Sequence, residues 1–592
     1  MKSNNWLKKV NVSMLSFLVL GAVVPTATVL AETQPVEKDK INIQAADEPV
    51  NKEAEKKDDN KKEVEVKETE KEVTKPDEAG KETKKLTVLG TSDVHGNVWD
   101  WSYEDDKEAD LGFAKIGTLV KQERAKNPNN ILVDAGDNLQ GTLLTDDLYS
   151  SKPELQNEDH PVITAMNTIG YDAMALGNHE FNFGTGLIKR VEKQADFPLL
   201  SANTYVKATG ENFVKATETK MIDGVKVSVI GMTIPHVWMW DGDKVKDLEF
   251  KPLNEEAKKQ VKILKETENP DVIVASIHAG LKNNDPGAAA ENVIKEVPEI
   301  DAFVLGHDHR EYAEHINDKE GTPKPAAAVK DTGSGMVKID LNLEKTDGKW
   351  KVKDSHPETL SVKGVKGDEA VKEATKEAHD KTVDHVNEVI GEAKDNFLPE
   401  ERVLGIPEAQ LQPTAMISLI NNVQMKVTGA DLGSAALFKY DSKLDKGPIK
   451  FSDVFSIYKY PNTLVATEMT GANLKKYLEK QGNYYQQYEP GDVTIGFNEK
   501  IRVYNYDMVS GVKYKFDISK PAGQRLKDLT FKGKEVKDDQ IFKIAMNNYR
   551  FEGMAKDGLV NPEPYFESDP ATLRGYIVDY IKEKKVIDPK EE

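Results

Sequence analysis

The chain has 592 residues, no cysteine and a formal net charge of −20. That length accommodates two ordinary domains with appendages, and the missing cysteines exclude disulfides and any thiolate metal site. The acidic balance argues against binding nucleic-acid polymers in bulk.

In chain order, residues 1–31 have the form of a secretory signal peptide: Lys2, Lys8 and Lys9 precede the apolar run MLSFLVLGAVV, and VLA ending at Ala31 offers a small-residue cleavage site. The apolar run is too short for a comfortable membrane span, so we expect export to the medium or cell surface, without stable membrane insertion after signal cleavage. Residues 32–85 read as a charged, disordered spacer, because a tract made almost wholly of Lys, Glu, Asp, Thr and Val cannot bury enough apolar surface to fold alone.

An α/β region is expected over 86–345. LTVLGTS, NILVDAG, DAMALG, DVIVASI and DAFVLG are short runs rich in Val, Ile and Leu that stop at Gly, Ser or Asp, as buried strands do. FAKIGTLVKQERAK, PVITAMNTIG and ENVIKEVPEI have helical spacing between them. Ligands in such sheets gather outside the carboxyl ends of the strands. Each run is followed there by metal-binding side chains: Asp93 and His95, Asp137, Asn178 and His179, His278, then His307 and His309.

Carboxylate, imidazole and carboxamide donors without thiolate suit borderline divalent transition ions such as Mn, Zn, Co or Fe, and suit Ca poorly. The candidates are too many for one tetrahedral site and about right for two ions sharing a carboxylate, the arrangement used for in-line displacement at phosphorus. Two dications less the charges of Asp93 and Asp137 would leave the pocket at about +2, enough to attract an anionic substrate despite the acidic surface. The aromatic run His236 to Trp240 reads as core or interdomain packing in preference to a lid.

Over 346–390 a connector is expected, with GDEAVKEATKEAHDKTVDHVNEVIGEAK as one long charged helix whose apolar stripe is Val371, Ala374, Ala378, Val386 and Val389. A semi-rigid linker of this kind suggests a hinge. A second mixed α/β core follows over 391–587, with AMISLINNVQMKVTG and GANLKKYLEKQ as helices and TLVATEMT, IRVYNYDMV, GVKYKFDI and IFKIAMNN as strands; 588–592 is a charged tail.

The ordered set DVH, GDNLQG, GNHEFN, a lone strand-end His and GHDH, over roughly Leu86 to Asn342, resembles the calcineurin-like metallophosphoesterases, in the branch of bacterial nucleotidases. The resemblance implies an α/β/β/α sandwich in which one ion is held by Asp93, His95, Asp137 and His309. The second would be held by Asp137, Asn178, His278 and His307, with Asp137 bridging and His179 beside the scissile phosphate. Where the best-known 5'-nucleotidase pattern has an Asp after GNHEF, this chain has Asn182, a neutral partner for the histidine that is also seen in relatives acting on 2',3'-cyclic nucleotides. KYPNTL, NYDMVSGVKYKFD and MNNYRFEG are similar to the 5'-nucleotidase C-terminal domain, which implies that Tyr460 and Tyr549 sandwich a nucleobase. Phe438, Tyr506 and Asp507 are further candidates for that pocket, and Asn203 for positioning the leaving oxygen.

The expected activity is therefore 2',3'-cyclic-nucleotide 2'-phosphodiesterase with 3'-nucleotidase action on small nucleotides, a broad 5'-nucleotidase being the alternative. A binding protein on a degenerate nucleotidase scaffold is the reading from another class, and intact candidates at every motif speak against it.

Overall fold

The computed structural model describes residues 82–398, 401–460 and 462–591. The expected signal peptide and nearly all of the expected spacer lie outside the described residues. Thr83 to Lys85, assigned to the spacer above, are already paired with Glu344 to Asn342 in the first strand.

Two six-stranded sheets build the first half. One runs, edge to edge, 349–361, 335–346, 83–91, 130–134, 173–175 and 199–200; the other runs 312–317, 323–328, 302–305, 272–278, 225–233 and 217–222. All five apolar runs are strands, parallel to their neighbours in sequence-adjacent pairs such as 83–91 with 130–134 and 272–278 with 302–305. Strand periodicity explains the layering. Val88 and Val133 point into a dry core between the sheets, with Val229, Val274 and Val304 opposite, while Leu89 and Leu132 point outward to the helices. Gly90 is required there, because a Cβ would lie 2.6 Å from Val304 Cγ1. The helices Phe113–Lys126, Pro161–Ile169 and Leu253–Thr267 cover the outer faces with Phe113, Ile116, Met166, Val261 and Leu264. The result is the four-layered α/β/β/α sandwich.

The first domain extends past 345. Lys349–Ser361 pairs antiparallel with Gly335–Thr346 and belongs to the first sheet, with Trp350 buried. The connector is two helices, Glu369–Ala374 and Lys376–Val386, broken at Thr375 where φ is −115° and ψ is 10°. Because of the break, Val371, Ala378 and Val386 are buried but Ala374 and Val389 are exposed, and Val389–Ala393 is a strand. The connector is docked on the first domain. His379 stacks on Trp99 with ring centroids 3.7 Å apart and meets the Tyr103 hydroxyl at 3.0 Å, and Lys381 pairs with Glu158 at 2.8 Å.

In the second half a five-stranded sheet runs 508–510, 432–435, 541–547, 463–470 and 566–572, with helices Ala415–Thr428 and Gly471–Gly482 beside it. Of IRVYNYDMV, only Met508 and Val509 are strand; Val503–Asn505 is a single 3-10 turn. The fully buried Arg574 of this half reaches Asp147 of the first at 2.9 Å and donates to the Lys459 carbonyl at 2.7 Å. Among the described residues no helix is long and apolar enough to cross a membrane.

Candidate metal centre

The strand ends deliver the candidate ligands to one place. Asp93, His95, Asp137, His307 and His309 all adopt left-handed backbone, with φ of 52°, 49°, 65°, 78° and 52°. A non-glycine residue held so costs about 1–3 kcal/mol and persists only where its surroundings impose it, often at functional sites. Asp93, His95 and His309 form one cluster and Asp137, His278 and His307 a second, each with ligand atoms within 4.8 Å of one another. Asn178 belongs to the second, its Oδ1 lying 3.1 Å from His278 Nε2 and 2.9 Å from His307 Nδ1.

The hydrogen bonds around these rings fit a cation. His278 Nδ1 donates to the Ala135 carbonyl at 2.8 Å, and His95 Nδ1 to the Gln140 carbonyl at 3.2 Å, so each neutral ring presents an Nε2 lone pair to the centre. His278 Nε2 then faces Asp137 Oδ2 at 2.9 Å as well as Asn178 Oδ1, and His95 Nε2 faces His309 Nε2 at 3.1 Å. Burial works against charge on His278, yet the Asp137, Asp93 and Glu180 carboxylates push it up to about 10; a divalent ion would take the place of that proton. Burial holds His95 and His307 down to about 4, neutral and ready to ligate.

Two carboxylates missed by the sequence reading shape the loop that carries Asp137. Glu180 is fully buried and accepts from the backbone N–H groups of Asp137, Asn138, Leu139 and Gly177 at 2.8, 2.6, 3.1 and 2.7 Å. Asp134 accepts from Gly136 N and Asn138 Nδ2. The signal available for Glu180 was an acid directly after Asn178 and His179, where a tight loop needs acceptors. Gly177 is required at this point, since a Cβ would sit 2.2 Å from Asp137 Oδ1.

His179 lies against this centre. Its backbone N–H donates to Asp137 Oδ1 at 2.7 Å, and its ring meets that of His95 edge-on at 5.3 Å. Asn182 Oδ1 takes its Nδ1 at 2.7 Å, and Asn182 Nδ2 in turn faces both oxygens of Asp241, at 3.1 and 3.3 Å. Asp241 closes the aromatic run from His236. That run is not simply core: Trp238 is 60 % exposed and the Trp240 ring lies 5.7 Å from the His307 ring, so it flanks the metal centre.

In the second half Tyr460 and Tyr549 are 41 and 52 % exposed, so both rings are available to stack. Their loops are joined by Asn462 Nδ2 donating to Asn548 Oδ1 at 3.2 Å, and Phe438 packs edge-on against Tyr460 at 5.0 Å. Burial raises the Tyr460 hydroxyl, helped by Tyr504 and by Asp331, and Asp331 also lies 3.6 Å from His309 Nδ1. Three candidates are corrected. Asp507 is buried and held by Arg550 Nε at 2.7 Å and the Tyr477 hydroxyl at 2.5 Å, so it supports the pocket wall and does not line it. Tyr506 is buried too, stacked on Tyr484 at 4.2 Å. Asn203 spends both amide hydrogens on the Thr233 and Lys251 carbonyls and accepts from Thr233 N, which leaves no donor for a leaving oxygen.

The sandwich and its clustered strand-end donors define a metal-dependent phosphoesterase. Residues 86–311 match the calcineurin-like phosphoesterases and 389–559 the 5'-nucleotidase C-terminal domain. The chain belongs to the family that combines these two domains, the 5'-nucleotidases and 2',3'-cyclic-nucleotide 2'-phosphodiesterases. It is 31% identical over 580 residues to the trifunctional nucleotide phosphoesterase protein YfkN of Bacillus subtilis, covering 87% of this chain but only 39% of that one. It is 29% identical over 562 residues to the 2',3'-cyclic-nucleotide 2'-phosphodiesterase/3'-nucleotidase of Haemophilus influenzae, covering 85% of each. In fold it resembles a putative 5'-nucleotidase from Staphylococcus aureus, with a TM-score of 0.71, 22% identity, and 84% of this chain and 96% of that one covered.

Proposed function

We propose that the protein is an exported hydrolase of 2',3'-cyclic nucleotides and 3'-nucleotides. The observation that carries the substrate choice is the neutral Asn182 carboxamide on His179. A 2',3'-cyclic phosphate is a strained diester whose leaving oxygen is a ribose hydroxyl held close by, so it needs less acid assistance than an unstrained ester. Water adds to phosphorus, the bond to the 2' oxygen breaks, and that oxygen gains a proton. The 3'-monophosphate formed keeps its phosphorus on the same side of the ribose, so one base clamp serves both steps, whereas a 5'-phosphate asks for another distance from base to phosphorus. The relatives named for the cyclic activity match over most of both chains, which supports the same reading.

Asp93, His95, Asp137, Asn178, His278, His307 and His309 would hold two divalent transition ions. Such ions supply Lewis acidity toward phosphoryl oxygens and toward water. Within the chain's own machinery, His179 addresses the substrate, Asn182 orients it, and Tyr460 and Tyr549 clamp the base.

Phosphate release across nucleotide isomers tests this directly. We expect kcat/KM highest for 2',3'-cyclic nucleotides, next for 3'-nucleotides, and at least about tenfold lower for 5'-nucleotides, roughly 1.4 kcal/mol in transition-state binding. A preference for 5'-AMP would replace this reading with 5'-nucleotidase. The clamp has its own check. Tyr460→Ala and Tyr549→Ala should each raise KM for nucleotides about 5- to 100-fold, since stacking contributes about 1–3 kcal/mol per base, with little change on bis(4-nitrophenyl) phosphate. Equal losses on both substrates would remove the clamp assignment.

A further inference from the structure

The Asn182 carboxamide has two possible orientations, and only one serves His179. With Oδ1 toward the ring it accepts the Nδ1 proton and leaves Nε2 as the nitrogen that exchanges protons with substrate; reversed, it would donate to Nδ1 and strip that nitrogen of its proton. Nothing in the residue itself chooses between them. The choice is made by what lies on its other side, and that is Asp241, both of whose oxygens face Asn182 Nδ2, at 3.1 and 3.3 Å. An ionised carboxylate accepts only, so a reversed amide would set oxygen against oxygen.

We propose that Asp241 is a positioning residue for the phosphoester chemistry, acting through the Asn182 amide to fix the ring orientation of His179 and the proton on its Nδ1. The assignment rests on the reading of His179 as the group that meets the substrate. Burial pushes the Asp241 carboxyl up, while the Lys244 ammonium and the hydrogen bond from the Asn182 amide favour its ionised form, and that amide is the side-chain donor its oxygens meet. Lys244 closes the arrangement from the same loop by donating to the Asn182 carbonyl at 2.7 Å, which pins the backbone from which the amide projects. Asp241 sits on the four-residue helix Trp238–Asp241, with Trp240 packed beside His307, so the loop that flanks the metal centre also carries the acid. The negative charge that an Asp at position 182 would place directly on the histidine is thereby set one group further out.

The experiment is a charge relocation. In Asp241→Asn two amides face each other and can pair either way round, so the orientation of Asn182 is no longer enforced. We expect kcat for 2',3'-cyclic AMP to fall about tenfold, a fraction of what a general acid or base contributes, with KM and bound metal unchanged and bis(4-nitrophenyl) phosphate turnover altered less than about twofold. Asn182→Asp alone sets two carboxylates in contact and should stay impaired. Asn182→Asp combined with Asp241→Asn places a carboxylate, which has no wrong orientation, directly on His179 Nδ1, and should recover kcat to within about threefold of wild type. Wild-type turnover across the nucleotide isomers tests the functional reading; the ratio of variant to wild type, taken on whichever nucleotide the wild type hydrolyses best, tests Asp241. Three results overturn the proposal: Asp241→Asn equal to wild type, equal losses on nucleotide and activated ester accompanied by loss of metal, or a folded double variant that recovers nothing.

Discussion

Asp137→Asn should abolish turnover and lower metal content in the same sample, with the circular dichroism spectrum unchanged. The side chain is fully inside the centre, its Oδ2 2.9 Å from His278 Nε2 and its Oδ1 accepting the His179 backbone N–H at 2.7 Å. Asparagine has the same shape and can keep the second contact, so the loop held by Glu180 has no reason to move. What is lost is one negative charge from the pocket proposed to hold two dications, and the ligand through which both ions would be joined. Metal analysis and phosphate release on one preparation are sufficient to check it. Full activity in this variant would dissolve the two-ion assignment, because Asp137 supplies the carboxylate of the cluster it forms with His278 and His307.

The parts of this fold that can be read from the sequence are those buried on both faces. Parallel strands such as 130–134 and 272–278 are apolar on both faces and end abruptly at polar loops, so their ends, and the ligands there, stand out. Lys349–Ser361 escaped because it is an edge strand with one wet face, and KWKVKDSHPETLS has the composition of a linker although Trp350 is turned inward. The connector was misread for a related reason. Its charged residues suit a single helix, and only the tertiary contacts of His379 with Trp99 and Tyr103 show why the chain breaks at Thr375 to dock.

The site divides along the same line. Metal-ligand candidates announce themselves by residue type at a fixed place after a strand. Partners that act through another residue do not: Asp241 is 59 positions from Asn182, in an aromatic segment with no motif, and only the folded chain brings its carboxylate to the amide. Asn203 shows the converse. A polar residue after a strand looked available, but its amide is consumed in tying Thr233 to Lys251.

His179→Ala should reduce kcat by roughly 100-fold or more with metal content at the wild-type level, the cost of removing one group aimed at charge that develops in the transition state. The separation of the two effects follows from which atoms do what. Contact with Asp137 is made by the backbone N–H of residue 179, at 2.7 Å, and alanine retains it. The ring touches His95 only edge to edge, at a centroid separation of 5.3 Å, and its Nδ1 is engaged by Asn182, so no ligand of either cluster depends on it for position. On the proposed reading, removing the ring takes away the Nε2 that would address the phosphoryl group and its leaving oxygen, and leaves the Tyr460 and Tyr549 rings to bind the substrate. KM should change little by comparison. The loss should be larger on 3'-nucleotides, whose leaving alkoxide is unstrained, than on 2',3'-cyclic nucleotides, where ring strain already drives the bond to break. Loss of metal together with activity would make His179 a ligand, and the Asn182 and Asp241 contacts would then be orienting a metal-bound ring.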